Sequence, residues 1–518
     1  MIHHQQNRSF VLFSFLIALF IFLPDLVLYI NVKHLITMLI FIGIFFLLGI
    51  AQKHLFVLVG MAVILLTVIF SHIYIHWGVN GFSSRLQAAM LSPSYESIEY
   101  LETYLDWRDI ILILYMLTGF ALLYKYLSVK NDIHHKRWMG VLALILFGSF
   151  FMVKNPLTKI LPFSIPNMYY EAGDWVDNAK ARISFMQKKL YPTDLNQSFR
   201  GFYHNIVVVV GESASKHHMS VYGYKPKTTP FLNDLSLKKF TFVANAIAPA
   251  NQTRFAIPME LTNAKADSFK NFFSSFSLVS YLKAVNYQTY WISNQAKVGK
   301  YDTYVTTIAN EADKTDIVNQ NFGSSKPDGI LLTHLPDSNI SSEREAIFIH
   351  LMGSHFQYKD RYDTQHILFK HPKNIVEEYD NSIYYTDYIL SKIFTFLKKQ
   401  KAPFLFVYFS DHAELVSEKK HGHGFLPPIQ EAYDIPLIVY SSIENERIGK
   451  LKEYTRGKTI NAESLKDLIL YINHQSNDLT HISFRKTVVA ADPKNIFEYD
   501  RIKKFSIKRK ILPPKEKR

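Results

Sequence analysis

Five stretches within the first 155 residues are almost continuously apolar, at about 9–30, 35–50, 55–76, 109–127 and 138–154. Each approaches the ~20 residues that a helix needs to cross a bilayer. The second has the shortest apolar core and would span with Lys33 and Lys53 reaching back to the interface. Beyond residue 204 the pattern changes to short runs rich in β-branched and aromatic residues: IVVVVG at 206–211, YQTYWIS at 287–293, AIFIHLM at 346–352, FLFVYFS at 404–410 and IPLIVYS at 435–441. Helical patterns near 277–286 and over 376–399 fall between them. Strands that are apolar at successive positions, alternating with helices, predict an α/β domain whose largely parallel central sheet is covered on both faces. The pattern thus predicts a transmembrane domain with five helices over 1–155, a linker over 156–203, an α/β domain over 204–500 and a basic tail over 501–518. Within the linker, EAGDWVDNAKARISFMQKKL at 171–190 reads as an amphipathic helix lying on a membrane surface or packing against a domain.

Charge orients the predicted spans. The fourth connection carries Lys125, Lys130, Lys136 and Arg137, whereas the third, about 77–108, carries Glu96, Glu99, Glu102 and Asp106. The positive-inside rule places the fourth connection in the cytoplasm, the third outside, and everything after residue 155 on the far side. No small-residue cleavage site follows the first stretch, which reads as a permanent anchor. Anionic membrane lipids are the expected partner of the net charge of +14, with a merely solvated basic tail as the equal alternative, and nucleic acid is disfavoured by the predicted side of the membrane. The chain has no cysteine, which excludes disulfides, thiol nucleophiles and thiolate zinc sites.

Three of the strand runs end in metal-ligand side chains. Glu212 follows the first, His350 and His355 end the second, and Asp411 with His412 ends the third. In open α/β sheets the ligand crevice lies beyond the carboxyl ends of the strands, so these groups are expected to converge on one metal-dependent centre. Carboxylates with imidazole suit zinc, and a hydroxyl in a fourth position would be acidified into a nucleophile. Ser213 adjoins Glu212, but GESAS lacks the second glycine of a serine-hydrolase elbow. Most of the 21 histidines, including the pairs His3–His4, His134–His135 and His217–His218, read as ordinary polar residues.

The ordered set GESASKHHMSVYGYKPKTTP, NQTRFAIP, WISNQ, HLMGSHFQYKDRY, YDNSIYYTDYIL and FSDHAE, behind five apolar stretches, resembles the membrane-bound phosphoethanolamine transferases of the lipid A and lipopolysaccharide-core type. Those are members of the alkaline phosphatase and sulfatase-like superfamily, and the resemblance spans essentially the whole chain. It implies a sulfatase-like periplasmic domain held at a bacterial inner membrane. By this resemblance Glu212, Asp411 and His412 are ligands of one tightly bound Zn2+, with a second metal as the alternative. Thr253, five residues before Pro258, is the nucleophile and a further ligand, and forms a covalent phosphothreonine intermediate.

His355 matches a histidine that contacts the substrate phosphate or a second metal, and one histidine of HGHG matches its distal partner, His423 being preferred to His421. His350 is expected behind the ligands or near the lipid, and Asn381 and Asp387 are expected to order the supporting helix. The implied donor is phosphatidylethanolamine, and the implied acceptor is lipopolysaccharide or lipid A.

Two departures stand out. The lipid A branch usually carries disulfides, and their absence places the chain nearer the cysteine-poor members that more often modify core heptose or other envelope glycans. The nucleophile loop reads QTRF, in which Arg254 would bind a donor or acceptor phosphate or, equally, form a structural salt bridge. The alternatives are a phosphoglycerol transferase of the same fold and a catalytically inactive, glycolipid-binding envelope scaffold. Sulfatase activity is disfavoured because no Cys/Ser-x-Pro-x-Arg segment is evident.

Overall fold

A computed structural model describes residues 2–28, 32–77, 105–129, 138–143, 145, 201–295, 304–319, 326–336 and 343–505. They belong to two compact units, one built from amino-terminal helices and one around a sheet. The first holds α1 (Ile2–Ile21), α2 (Leu23–Leu28), α3 (Val32–Ala51), α4 (Lys53–Trp77) and α5 (Trp107–Ser128). The first apolar stretch is therefore two helices, and the break falls at Phe22, two residues before Pro24, which has no N–H for a continuous ladder. By length and composition, Lys53–His76 and Trp107–Ser128 are long and apolar enough to cross a membrane, and Ser9–Ile21 and Phe41–Ala51 are shorter apolar helices.

Several buried polar groups within this unit are satisfied by its own backbone, as an apolar surround favours. Tyr126 OH donates to Gly49 O (2.8 Å), Tyr115 OH to Ile21 O (2.7 Å) and Ser14 Oγ to Phe10 O (2.8 Å). Of the fifth stretch, 138–143 are helical. Glu96, Glu99, Glu102, Lys130, Lys136, Arg137, the 171–190 segment and the tail beyond 505 lie outside the described residues.

The second unit contains β1 (Asn205–Gly211), β2 (Thr241–Ile247), β3 (Tyr287–Ser293), β4 (Lys314–Ile317), β5 (Arg344–His350), β6 (Phe404–Ser410), β7 (Pro436–Ser441) and β8 (Ile460–Asn461). They form one sheet in the order β4-β3-β5-β1-β6-β7-β2-β8. From β4 to β6 every pairing is parallel; β7 runs antiparallel to both β6 and β2, so the sheet is mixed but mostly parallel. The helices are α6 (Pro230–Ser236), α7 (Thr253–Leu261), α8 (Leu278–Ala284), α9 (Tyr304–Ala309), α10 (Ile375–Lys399), α11 (Glu446–Tyr454) and α12 (Leu465–Ile472). A small antiparallel pair, β9 (Thr487–Ala490) with β10 (Asp492–Glu498), closes the unit.

The unbroken apolar run of β1 reflects burial on both faces. Ile206, Val208 and Val210 pack on the side of Ile257 and Met259 of α7 and Leu468 and Ile469 of α12. Val207 and Val209 face the opposite cluster with Tyr379, Ile383 and Leu390 of α10. Each such side chain contributes about 1.5–3 kcal/mol of burial. Helix α10 begins where the Asn374 side chain accepts from the N–H groups of Val376 and Glu377, with Glu377 and Glu378 in its first turn and Lys398 and Lys399 in its last, each sign matched to the helix dipole.

Side chains of α10 then hold the loops around the sheet's carboxyl edge. Asn381 Oδ1 accepts from the N–H groups of Leu368 and Phe369, and Asp387 accepts from those of Phe231 and Leu232 at the start of α6. Tyr379 OH donates to Ser213 O (2.7 Å) and accepts from Ser215 N–H (2.8 Å), bracing the segment after β1.

Asp434 is a second brace on that segment. It meets Lys216 Nζ (3.0 Å), His217 Nε2 (2.7 Å) and the Tyr499 hydroxyl (2.7 Å). Burial alone would raise its pKa, but the His217 hydrogen bond and the Lys216 charge hold it below the usual 3.8. A depressed folded pKa means stabilisation that is fully present above 3.8 and lost as pH falls through the lower folded value. Asp434→Asn is therefore expected to cost about 1–3 kcal/mol at pH 7. The difference from wild type should shrink as the pH drops below 3.8. Thermal unfolding across pH checks this, and a gap that persists unchanged in acid would count against it.

Candidate active site

Four adjacent strands, β3, β5, β1 and β6, point their carboxyl ends at one edge, and each delivers a polar residue there. Glu212 follows β1, Asp411 and His412 follow β6, His350 ends β5, and Gln295 lies just beyond β3. The chain leaving β2 reaches the same region through residues 248–252, tied by Ala248 N–H to Tyr433 O (2.8 Å) and Asn251 N–H to Val489 O (3.3 Å). Thr253 is the first residue of α7.

Its hydroxyl is 2.9 Å from Glu212 Oε2 and 3.2 Å from His412 Nε2. Glu212, Asp411 and His412 are buried, and one ligand atom from each lies within 4.8 Å of the others. Glu212 is fully engaged: Oε1 accepts from Ser213 Oγ (2.8 Å), and Oε2 accepts from Gln295 Nε2 (2.9 Å) and Thr253 Oγ1. Ser213 adopts a left-handed backbone (φ 56°), which costs about 1–2 kcal/mol outside glycine. That turn is pressed against Gly353 (φ 55°), where a Cβ would meet the Glu212 carbonyl oxygen at 2.6 Å. Gly353 is itself fixed by its N–H to Asp328 Oδ2 (2.8 Å).

The cluster has the electrostatics of a cation site. His412 Nδ1 faces the Ala413 carbonyl (3.2 Å), which can only accept, so Nε2 is left towards Glu212 Oε1 (3.3 Å) and Asp411 Oδ2 (3.6 Å). Two carboxylates and one imidazole therefore converge on a point that requires positive charge. Burial would lower the His412 imidazolium pKa, yet Asp411 and Glu212 lift it to about 10. Burial and the Glu212 charge push Asp411 up to about 7, while His412 holds Glu212 well below its usual value in spite of its burial. Asp411 Oδ2 is buried and forms no hydrogen bond among the described residues. A divalent cation fits this donor set of two carboxylate oxygens and one nitrogen, with the Thr253 hydroxyl as a fourth.

Around this point the other expected residues separate. The His423 ring lies 4.2 Å from that of His412 and 5.9 Å from that of His355, and His423 Nδ1 is 2.7 Å from Glu414 Oε2. Glu414 is in turn held by the Tyr358 hydroxyl (2.7 Å). Burial lowers the His355 pKa to about 4, leaving it neutral at physiological pH. His421 instead stacks on Phe356 at 5.2 Å. Arg254 lies over the Phe255 ring and donates to Gln252 Oε1 (3.2 Å) and Ala491 O (3.1 Å). His350 is buried, with Nδ1 3.3 Å from Ser293 Oγ.

Two residues at the site were not singled out from the sequence. Gln295 was inside the WISNQ motif, but only folding shows that it bonds Glu212. Glu260, seven residues along α7 from Thr253, is buried, and neither carboxylate oxygen has a partner among the described residues. Burial, with Asp411 and Glu212 adding like charge, holds its pKa well above the usual value.

The fold defines an α/β protein of the sulfatase and alkaline phosphatase kind, and its buried cluster could hold a metal ion. The sulfatase family matches residues 204–468, just over half of the chain, and the chain belongs to that family. Its sheet domain is homologous to phosphoethanolamine transferases. Phosphoethanolamine transferase EptC of Escherichia coli K12 is 25% identical over 411 residues, 71% of each chain. EptA of Helicobacter pylori is 30% identical over 255 residues, 46% of this chain and 47% of that protein. The chain spans about half the length of most of the curated relatives it matches.

Among solved structures, the periplasmic domain of the E. coli EptC aligns over 60% of this chain and 98% of its own, with TM-score 0.53 and 23% identity. The integral membrane lipooligosaccharide phosphoethanolamine transferase A of Neisseria meningitidis aligns over 90% of this chain and 95% of its own, with TM-score 0.60 and 17% identity. These two likenesses bear on the fold.

Proposed function

We propose that the chain transfers phosphoethanolamine from phosphatidylethanolamine to a lipopolysaccharide acceptor, lipid A or core, through Thr253. The observation that carries this reading is the Thr253 hydroxyl at 2.9 Å from Glu212 and 3.2 Å from His412, beside Asp411. In this reading residues 1–155 tether the enzyme in the inner membrane, 204–500 form the periplasmic catalytic domain, and both amphiphilic substrates meet the site at high effective concentration. The ligands proposed for Zn2+ are Glu212, Asp411, His412 and Thr253. The bound ion would supply Lewis acidity, lowering the pKa of the threonine hydroxyl and offsetting charge on the transferring group.

The chain's own groups do the rest. Glu212 Oε2 accepts the Thr253 hydroxyl hydrogen bond and orients Oγ1 for attack. The position of Thr253 at the first residue of α7 sets the positive end of a helix dipole beside the incoming phosphate. The Thr253 Oγ1–phosphorus bond forms as the bond from phosphorus to the diacylglycerol oxygen breaks. Glu414 accepts Nδ1–H of His423, which leaves Nε2 to take the Thr253 hydroxyl proton as the Oγ1–phosphorus bond forms and pass it to the departing oxygen. Nε2 later takes the acceptor hydroxyl's proton and returns it to Thr253 Oγ1 as the acceptor oxygen–phosphorus bond forms and the Oγ1–phosphorus bond breaks. His355, neutral and next to His423, gives its Nδ1–H to the Phe356 carbonyl (3.2 Å), which leaves Nε2 as a hydrogen-bond acceptor for the substrate. Arg254, engaged with Gln252 and Ala491, supports the loop that presents Thr253.

The test uses the full-length protein with vesicles of either phosphatidylethanolamine or phosphatidylglycerol, followed by mass analysis of the Thr253 peptide. A phosphoethanolamine adduct formed only with the first lipid is expected. A phosphoglycerol adduct would move the chain to the alternative transferase, and no adduct with bound metal intact would leave the inactive scaffold.

A further inference from the structure

The amino-terminal unit contains a second group of metal-ligand side chains. His72 and His76 are four residues apart on α4, which puts both imidazoles on one helix face, and Asp109 is the third residue of α5. His72 Nδ1 lies 2.6 Å from Asp109 Oδ1, and His76 Nε2 lies 3.0 Å from Asp109 Oδ2. The two rings are 4.7 Å apart, and one ligand atom from each of the three residues falls within 4.8 Å of the others. The same spread describes Glu212, Asp411 and His412.

Three features distinguish this group from a chance polar contact. Its side chains are withdrawn from solvent, at 17% exposure for His72, 7% for His76 and 5% for Asp109. The carboxylate is held from behind: Asp109 Oδ2 also accepts the Asp106 N–H (2.9 Å) as part of the capping box that starts α5, the kind of outer hydrogen bond that fixes a ligating carboxylate. The two histidines direct different nitrogens, Nδ1 and Nε2, at the two oxygens of one acid, so the three side chains enclose a single point.

We propose that His72, His76 and Asp109 form a binding site for a borderline divalent transition metal of the zinc type, fastening the end of α4 to the start of α5. Two imidazoles and one carboxylate are a donor set that selects zinc, copper or nickel over magnesium and calcium. With neutral histidines the site carries one negative charge, and a divalent ion leaves it at net +1. The site lies within the helical unit and shares no residue with the Glu212 cluster, so it stands or falls independently of the proposed transferase activity.

The experiment uses the full-length protein in detergent, dialysed against micromolar Zn2+ and analysed for metal per chain. Wild type is expected to hold two equivalents, and His72→Gln/His76→Gln one. Glutamine can still donate to Asp109, so the helix contact and the folding it supports are kept while the imidazole ligands are removed. As a second readout, Co2+ loaded into Glu212→Gln/Asp411→Asn protein should give the visible absorption of a low-symmetry nitrogen and oxygen site. Adding His72→Gln/His76→Gln to that protein should abolish the bands. Metal content and cobalt spectra unchanged by the histidine substitutions would overturn the proposal and leave an ion-paired helix clamp.

Discussion

Replacing Thr253 by alanine is expected to lower headgroup transfer on the order of 10^4- to 10^6-fold, the loss seen when a nucleophile acting within a concerted group is removed. The hydroxyl is hydrogen-bonded to the buried ligands and belongs to a partly exposed residue, and unlike the Gln295 amide that shares Glu212 it can act as a nucleophile. Thr253→Ser should retain turnover within on the order of 10- to 100-fold, because Oγ remains while the methyl that restricts χ1 is lost. Both variants should keep most of the bound zinc, since Glu212, Asp411 and His412 are untouched. The check is transfer of labelled headgroup by full-length protein in vesicles, alongside metal analysis. An alanine variant within tenfold of wild type would remove Thr253 from the mechanism.

The second large effect concerns the metal. Chelation should abolish transfer, lower the unfolding temperature of the sheet unit by several degrees, and be reversed by Zn2+. The reason is that two buried carboxylates face each other across one imidazole, and Asp411 Oδ2 has no hydrogen-bond donor among the described residues. A ligand held at a thousandfold excess over its Kd stabilises by about 4 kcal/mol. Asp411→Asn should be inactive, yet its unfolding temperature should hardly respond to chelator, because the substitution removes both a metal ligand and one of the two like charges. Differential scanning measurements with and without chelator separate these cases. A wild-type transition that ignores the chelator would mean that the Glu212 cluster is satisfied by protons alone.

These expectations rest on parts of the molecule that were unequally visible in the chain. The strands β1, β3, β5, β6 and β7 and helix α10 were legible because burial on both faces writes uninterrupted apolar runs, and amphipathic burial writes a helical period. Local order also fixed which residues follow β1 and β6, so Glu212, Asp411 and His412 could be expected at one edge. The role of Thr253 came from a family resemblance, since one hydroxyl among many carries no periodic signal.

What folding decided is everything that depends on closure between distant segments. The reversal of β7 and its pairing with β2, whose apolar run is interrupted by Asn245, is a property of the whole sheet. Tertiary packing set His423 beside His412 and turned His421 onto Phe356, although the two histidines are separated by a single glycine. It bound Gln295 to Glu212 and buried Glu260 without partners. It also brought Asp109 to His72 and His76 across a long connection. Sequence determines side-chain chemistry and local period; the coincidence of three such groups within 4.8 Å is set by how helices and strands pack, and no local pattern encodes it.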